Sequence, residues 1–152
     1  IRFDHHASHS KRIAQEILNR LRYPRRFIEE VCWLVEHHMM MVQLLEMPHG
    51  RRMRWFLDPW FLNLMEVFKA DAQGTTPTDL KLYEKILTLY RESVESMPKE
   101  PAPLLKGEDI MKKLKLKPGK LVGEILTQLR EKQLAGEIIT KKEALQWLKK
   151  FL

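Results

Sequence analysis

Two histidines and an aspartate, placed where apolar residues repeat at helical spacing, are the residues of this sequence best suited to chemistry. His6 precedes Ile13 by seven residues, close to two turns of an α-helix, so the two side chains share one face. His38 and Asp71 stand in a similar relation to apolar residues of two later segments. The spacing predicts that all three point toward a core, where a lone carboxylate is costly without a cation or hydrogen-bond donors.

Two imidazoles and a carboxylate that converge from three helices would suit a divalent metal ion with mixed nitrogen and oxygen ligands. The alternative is that each of the three is hydrogen-bonded separately in the core, as buried histidines often are. His37 falls about 100° further round its helix than His38, and we expect it to face solvent. The spacing of His5, His9 and His49 supports no site, and we expect them at the surface.

Helices must position these residues, because apolar residues recur at helical spacing along nearly the whole chain and no alternating stretch is long enough for a strand. The predicted fold class is all-α. Helices are expected over about 7–22, 24–38, 50–57, 59–74, 78–96 and 107–114, then around Leu121, Ile125 and Leu129, and finally from Lys141. Thr140, with Glu143 three places on, has the pattern of a capping box for the last helix.

A proline-rich stretch divides the chain. Pro98, Pro101 and Pro103 fall within six residues, and neither helix nor sheet passes through such a segment. We therefore expect a helical bundle at residues 1–97, a linker at 98–103 and a small helical module at 104–152. The bundle is expected to be truncated at its N-terminus, because a histidine cluster stands at its edge without an earlier element to lean on.

The composition restricts the class of protein. Cys32 is the only cysteine, so no internal disulfide can form, and a reducing compartment is expected. The apolar runs are far shorter than the ~18 residues that a membrane span requires, and no basic-then-apolar leader begins the sequence. We expect a cytoplasmic protein without a membrane partner.

Positive charge is concentrated in the last third of the chain. The net charge is +7, and residues 103–152 hold 12 Lys and Arg against 6 Asp and Glu, whereas residues 1–102 hold 15 against 14. This asymmetry points to a polyanionic partner, although a solvated lysine-rich face has the same composition. The candidate phosphate contacts are Lys112, Lys113, Lys115, Lys117, Lys120, Arg130, Lys132, Lys141 and Lys142. Arg51, Arg52 and Arg54 could contact a phosphate or simply cap and solubilise a short helix.

Three segments resemble the later part of an HD-type helical domain. They are "RFDHHASHSKRIAQEILNRLR", "VCWLVEHHM" and "LMEVFKADAQGT". The family pattern is a His, a His-Asp pair, further histidines and an Asp, and His6, His38 and Asp71 match its later positions. The adjacent His-Asp pair occurs nowhere in this sequence. The resemblance therefore implies an incomplete hydrolytic centre, with a possible divalent metal.

The last fifty residues, "PLLKGEDIMKKLKLKPGKLVGEILTQLREKQLAGEIITKKEALQWLKKFL", are similar to the C-terminal module of bacterial tRNA nucleotidyltransferases and the related poly(A) polymerases. The resemblance implies a region that holds tRNA while a separate head adds nucleotides to the 3′ end. By the same resemblance the head uses ATP, and CTP in a CCA-adding enzyme, with magnesium. The head's Gly-Ser loop and paired aspartates are absent from this sequence, so no catalytic residue of the transfer is expected here.

Two other functions remain open from the sequence. One is an HD-type metal-dependent phosphohydrolase, in which metal-bound water attacks a phosphoester. The other is a helical interaction module with no role in RNA binding. Whether the parent enzyme adds CCA, A or poly(A) also stays open, because the residues that choose the nucleotide belong to the head.

Overall fold

The computed structural model describes residues 6–97 and 100–151, and every regular element within them is helical. The elements are α1 (His6–Arg20), α2 (Arg25–His37), a 3₁₀ segment (His38–Glu46), α3 (His49–Phe56), α4 (Phe61–Gln73), α5 (Lys81–Glu95), α6 (Gly107–Leu114), α7 (Lys120–Leu134), α8 (Lys141–Trp147) and a last 3₁₀ segment (Leu148–Phe151). The predicted all-α fold class is confirmed. None of these helices has the length and apolar character needed to cross a membrane. His5 and Pro98, named in the sequence analysis, lie outside the described residues.

Helix ends follow local sequence signals in most places. The Thr140 hydroxyl accepts a hydrogen bond from the Glu143 N–H at 3.2 Å, and the Glu143 carboxylate accepts one from the Thr140 N–H at 2.9 Å. The predicted capping box of α8 is therefore formed. At the start of α4, the Asp58 carboxylate accepts from the Trp60 N–H at 2.9 Å, and the helix begins at Phe61, slightly later than predicted.

The chain forms two compact units that alternate along the sequence. The first unit comprises the chain up to Glu46 together with Asp58–Glu92, and the second comprises Met47–Leu57 together with the chain from Ser93 onward. Residues 47–57 contain α3, which was expected to belong to the predicted bundle at 1–97. Compactness does not show where an independently folding domain ends, so the division at 98–103 stays a prediction.

The first unit buries apolar side chains from α2, the first 3₁₀ segment, α4 and α5. Six are almost fully inaccessible: Met41, Leu44, Phe61, Leu64, Met65 and Ile86. α2 contributes Ile28 and Cys32, which are four residues apart and lie on one face. The methionine-rich connection after α2 is thus part of the core, as its 3₁₀ conformation turns Met41 and Leu44 inward.

α1 packs on α2 with a face that the apolar spacing did not predict. Its partly buried positions are Ala7, Ser10, Lys11, Ala14 and Leu18. Most of these are small side chains, which let two helices approach closely, and Lys11 also pairs with Glu36 of α2 at 2.7 Å. Ile13 and Ile17 are instead 42% and 41% exposed, and no residue of α1 is buried. His6 is exposed too, so the prediction that it points toward the core is wrong.

Asp71 also lies outside the core. The buried residues of α4 are Phe61, Leu64 and Met65, all in its first half, whereas Asp71 in its C-terminal part is exposed. The prediction of a carboxylate on a buried face is therefore wrong. The helical repeat continues past the stretch that other elements cover, so the carboxylate is exposed to water, and no cation of the described residues lies within 4.0 Å of it.

The second unit has its own core. Leu105, Ile110, Val122, Ile125, Leu129, Ile138, Ala144 and Leu148 are among its buried residues. These side chains come from α6, α7, α8 and the flanking segments. In the same unit, α3 packs against α7 and buries Met53 and Phe56.

Candidate nucleic-acid interface and histidine pair

The end of α6 and the start of α7 form a short lysine-rich connection in the second unit. α6 ends at Leu114, the left-handed conformation of Lys115 (φ 53°) reverses the chain, and α7 begins after the Pro118-Gly119 turn. At its other end α6 is fixed by Asp109, whose carboxylate accepts a hydrogen bond from the Lys106 N–H at 2.8 Å. This bond and the nearby Lys141 ammonium hold the pKa of Asp109 below its ordinary value. Local contacts therefore define both ends of α6, the Asp109 hydrogen bond at its start and the left-handed Lys115 after its last residue.

Five predicted phosphate contacts lie on this connection. We call Lys112, Lys113, Lys115, Lys117 and Lys120 the lysine cluster; all five are exposed. Among the described residues, only Lys120 has a carboxylate within 4.0 Å, that of Glu124 at 3.5 Å. The other four ammonium groups have no acidic neighbour at that range in the described part of the chain. The cluster is therefore a local excess of positive charge that an anion could neutralise.

The predicted contacts on α8 are exposed as well. Lys141 and Lys142 occupy the first turn of this helix, and Lys141 lies 3.6 Å from the Asp109 carboxylate of α6. Two lysines that the sequence analysis did not select, Lys149 and Lys150, follow in the last 3₁₀ segment. Lys150 stands over the Trp147 ring at 4.0 Å from its centroid, a cation–π contact. The two residues are three positions apart, a spacing that brings side chains together on a helical segment.

Arg130 and Lys132, by contrast, bind other parts of the second unit. The Arg130 side chain is only 16% exposed and donates to the Pro101 carbonyl at 2.6 Å, to Gln133, and to the Glu100 carboxylate. It therefore fastens the segment after residue 99 to α7. Lys132 forms an ion pair with Glu137. Both side chains therefore already have an acidic partner within the protein, although the Lys132 ammonium keeps further donors.

His6 and His38 are brought together in the first unit. Their Nε2 atoms are 3.4 Å apart, and their ring centroids are 5.3 Å apart with the planes at 66°. The Nδ1 atom of His38 lies 2.7 Å from the Val35 carbonyl oxygen, which can only accept a hydrogen bond. The His38 Nδ1 therefore carries the proton in the neutral ring, and its Nε2 presents a lone pair to His6.

Two facing imidazole nitrogens can share a proton or bind one cation. Ligand nitrogens at 2.0–2.1 Å from a tetrahedral metal ion lie about 3.4 Å from each other, so this pair has suitable spacing. The backbone hydrogen bond on the far side of His38 is the usual support of a metal-binding histidine. Asp71 is not brought to the pair as a third ligand: the described residues contain no group of three His, Cys, Asp or Glu that could hold a metal ion.

The remaining histidines follow the predictions only in part. His9 and His49 are exposed, as expected. His37 is partly buried instead of facing solvent, because its Nδ1 lies 2.8 Å from the Trp33 carbonyl and its ring packs on the Trp33 ring at 4.7 Å. A local backbone contact one turn earlier thus draws the ring back along its own helix.

Comparison with known proteins gives one family model and three relatives that match most of the chain. The family model described as "tRNA nucleotidyltransferase domain 2 putative" matches residues 2–148. The A-adding tRNA nucleotidyltransferase of Deinococcus radiodurans is 33% identical over 139 residues, which cover 87% of this chain and 31% of that protein. The CC-adding enzyme of Thermus thermophilus is 34% identical over 151 residues, which cover 97% of this chain and 33% of that protein.

A second CC-adding enzyme, from a Synechocystis species, is 28% identical over 140 residues, which cover 90% of this chain and 32% of that protein. The chain thus spans about a third of the length of the curated relatives it matches. No solved structure gives a significant match.

Proposed function

Because the chain belongs to the tRNA nucleotidyltransferase family, we propose that it binds tRNA and holds it while another part of the enzyme extends the 3′ end. The relatives bear the names of CC-adding and A-adding enzymes, and the chain corresponds to about a third of each. In this proposal the transfer step, with its ATP, CTP and magnesium, belongs to the remaining part. A cytoplasmic location fits the role, and the free thiol of Cys32 agrees with a reducing compartment.

The lysine cluster is the observation that carries the proposal. Five exposed ammonium groups lie on one turn and its two flanking helix ends, and four have no acidic neighbour within 4.0 Å in the described ranges. Like charges at this density repel each other, and a phosphate backbone relieves the repulsion while releasing its own counterions. Lys141 and Lys142 add two exposed cations from α8 of the same unit.

The chemistry of the cluster suits an RNA duplex read by its backbone. Lysine ammonium groups are flexible point charges that recognise phosphate without reading base edges. Proteins recognise A-form RNA mostly by shape and by contacts with phosphate and the 2′-hydroxyl. A tRNA stem is therefore a fitting ligand. Arg130 and Lys132 contribute less in this proposal, because their donors bind Glu100, Pro101 and Glu137.

The described residues do not fit a magnesium site for nucleotide transfer. They include no group of three acidic or other ligands that could hold a metal ion. The sequence also lacks the paired aspartates of a nucleotidyltransferase head. In this proposal the transfer chemistry takes place outside this chain.

A salt titration of tRNA binding tests the proposal. The chain should bind a tRNA transcript in a filter assay with an affinity that falls as salt rises, by a log-log slope of about 0.9 per neutralised phosphate. Replacing the five residues of the lysine cluster by Gln should weaken binding and lower the slope by as much as about 4.5. The change comes from lost counterion release and not from lost fold, so far-UV circular dichroism should stay unchanged.

A matched variant separates a local contact from overall charge. Arg20, Arg26, Lys81, Lys85 and Arg91 are five exposed cations of the first unit without a carboxylate within 4.0 Å among the described residues. Changing all five to Gln removes the same charge and should leave the slope nearly as it was. An equal loss in both variants, or tRNA binding that ignores salt, contradicts the proposal. Absence of any tRNA binding would favour a helical interaction module.

The histidine pair supports a second candidate function, that of an HD-type metal-dependent phosphohydrolase. We propose that His6 and His38 bind one divalent cation through their Nε2 atoms, 3.4 Å apart. A divalent metal bound there would activate water for attack on a phosphoester. Hydrolysis itself requires ligands beyond the two histidines, because neither Asp71 nor another described residue completes a group of three.

Cobalt or zinc titration by calorimetry tests the pair. The unaltered chain should bind one equivalent, and His38→Ala should abolish the binding, whereas the exposed His49→Ala should leave it intact. Asp71→Asn should have no effect if Asp71 stays solvated as described. Equal metal uptake by the His38→Ala and unaltered chains removes this candidate.

A further inference from the structure

α3 is held unusually close to α7 in the second unit. A Cβ atom placed on Gly50 would lie 1.8 Å from the Glu131 carbonyl oxygen and 3.2 Å from the Ala135 Cβ. Only a residue without a side chain permits this approach. This contact holds α3 against the C-terminal half of α7.

Two arginines of α3 share one carboxylate of α7. The Nε of Arg51 lies 3.5 Å and the Nε of Arg54 lies 3.3 Å from the same Glu131 oxygen. The two arginines are three residues apart, so they project from one side of the helix. The Glu131 side chain is only 19% exposed, whereas those of Arg51 and Arg54 are 53% and 42% exposed. One partly buried acid therefore pairs with two guanidinium groups that reach toward solvent.

This arrangement leaves an excess of oriented positive charge. One carboxylate balances one of the two guanidinium charges, and within the described ranges no other carboxylate lies within 4.0 Å of either. Both ion pairs with Glu131 are recorded at the Nε atoms of the arginines. A planar guanidinium fork matches the oxygens of a phosphate in a bidentate geometry.

A cleft of about 450 Å³ adjoins the pair inside the second unit. Arg51, His49, Gln128 and Lys132 line it and supply hydrogen-bond donors, with Glu131 and Glu137 as the acids. Arg51 thus faces the same cleft as Lys132, a predicted phosphate contact. From the sequence alone these arginines could contact a phosphate or simply cap and solubilise a short helix.

From this geometry we propose that Arg51 and Arg54 bind a phosphodiester group of the RNA backbone, as an anchor separate from the lysine cluster. The proposal rests on the proposed function, because it assumes that the chain binds RNA. In it the arginines hold one phosphate by their forks, and the lysine cluster supplies diffuse attraction. Glu131 acts as a positioning residue, since it touches the arginines and not the RNA.

Two double variants test the anchor in the tRNA titration. Arg51→Gln with Arg54→Gln should weaken binding about tenfold at fixed salt and lower the log-log slope by about 1 for the lost phosphate. Arg51→Lys with Arg54→Lys keeps the charge and the ion pairs with Glu131 but removes the forks. This variant should keep the slope while still losing affinity. It also covers the case in which the glutamine variant fails to fold.

The control is Arg20→Gln with Arg26→Gln, which removes two exposed cations from the first unit. It should bind tRNA nearly as the unaltered chain does. Binding by the unaltered chain, together with full affinity and slope in the glutamine variant, overturns the anchor and leaves the proposed function standing. Failure of the unaltered chain to bind tRNA overturns both.

The positioning role of Glu131 has its own readout. In a Glu131→Gln background, Arg51 and Arg54 lose the carboxylate that both contact. Replacing both arginines by Lys should then cost less RNA affinity than the same replacement costs in the unaltered chain. A merely structural Glu131 would shift both affinities equally and leave that difference unchanged. An unchanged difference therefore contradicts the positioning role.

Discussion

The contact between α3 and α7 predicts opposite effects for the same substitution at two helical glycines. Gly50→Ala introduces a methyl carbon 1.8 Å from the Glu131 carbonyl oxygen, where real Cβ atoms do not come within 3.0 Å. The obstacle is backbone, so α3 must move away from α7 and disturb the buried Met53 and Phe56. Gly123 lies inside α7, and a Cβ atom there meets nothing within 4 Å.

The magnitudes follow from packing and helix propensity. Alanine in place of glycine inside a helix gains about 1 kcal/mol, which should appear in full for Gly123→Ala. Overpacking of a well-packed contact costs about 1–3 kcal/mol or more, so Gly50→Ala should lose about 2 kcal/mol after the same gain. The two variants should therefore differ by roughly 3 kcal/mol in the free energy of unfolding.

Urea unfolding followed by circular dichroism at 222 nm measures both variants against the unaltered chain. The expected order of midpoints is Gly123→Ala highest, the unaltered chain next, and Gly50→Ala lowest. If Gly50→Ala proves as stable as Gly123→Ala, α3 does not sit against α7 as described. The proposed arginine anchor would then lose the geometry on which it depends.

Other predictions concern the core, the exposed face of α1 and acid stability. Ile86→Ala should cost about 2–5 kcal/mol because Ile86 is fully buried, whereas Ile17→Ala, at a position 41% exposed, should stay within about 0.5 kcal/mol; similar losses would contradict the assigned packing face. Hydrogen bonds from backbone N–H groups, that of Lys106 to Asp109 and those of Ile139 and Thr140 to Glu143, lower the pKa of both carboxyls below their ordinary values of 3.8 and 4.5. The unfolded chain therefore binds protons more readily, so this stabilisation is complete above about pH 4.5 and disappears as the pH falls through the lower folded values. Asp109→Asn with Glu143→Gln should flatten the pH dependence of the unfolding midpoint in that range, and an undiminished dependence would assign it to other groups.

Local signals in the sequence predicted the second half of the chain well. The capping box of Thr140 and Glu143 depends only on residues three positions apart, and the helix that it begins is found where expected. The same holds for the end of α6, where the Pro118-Gly119 turn follows closely. Such features form from neighbouring residues, so the rest of the fold does not alter them.

The face that a helix buries could not be predicted in the same way. Ile13 and Ile17 form a regular apolar stripe, but α1 contacts α2 through Ala14 and other small residues on a different side. The prediction for Asp71 is wrong for the same reason, because the apolar repeat of α4 continues beyond the half of the helix that is buried. His6 and His38 come together from two separate helical segments. The spacing that suggested their approach assumed that His6 lies on a buried face, whereas His6 is exposed.

Not every cationic side chain of the sequence is available to bind a ligand. Arg130 belongs to the same basic segment as the lysine cluster, yet it is largely buried and bound to Glu100 and Pro101. Lys113 and Lys117 have no such partner in the described part of the chain, because α6 ends at Leu114 and the turn that follows carries no acid. Near a tight turn between two basic helix ends, few carboxylates lie within range of a lysine. An arginine in the middle of a helix can instead bind the segment that packs beside that helix. The same substitution to Gln should therefore reduce RNA affinity at Lys113 or Lys117 and reduce mainly stability at Arg130.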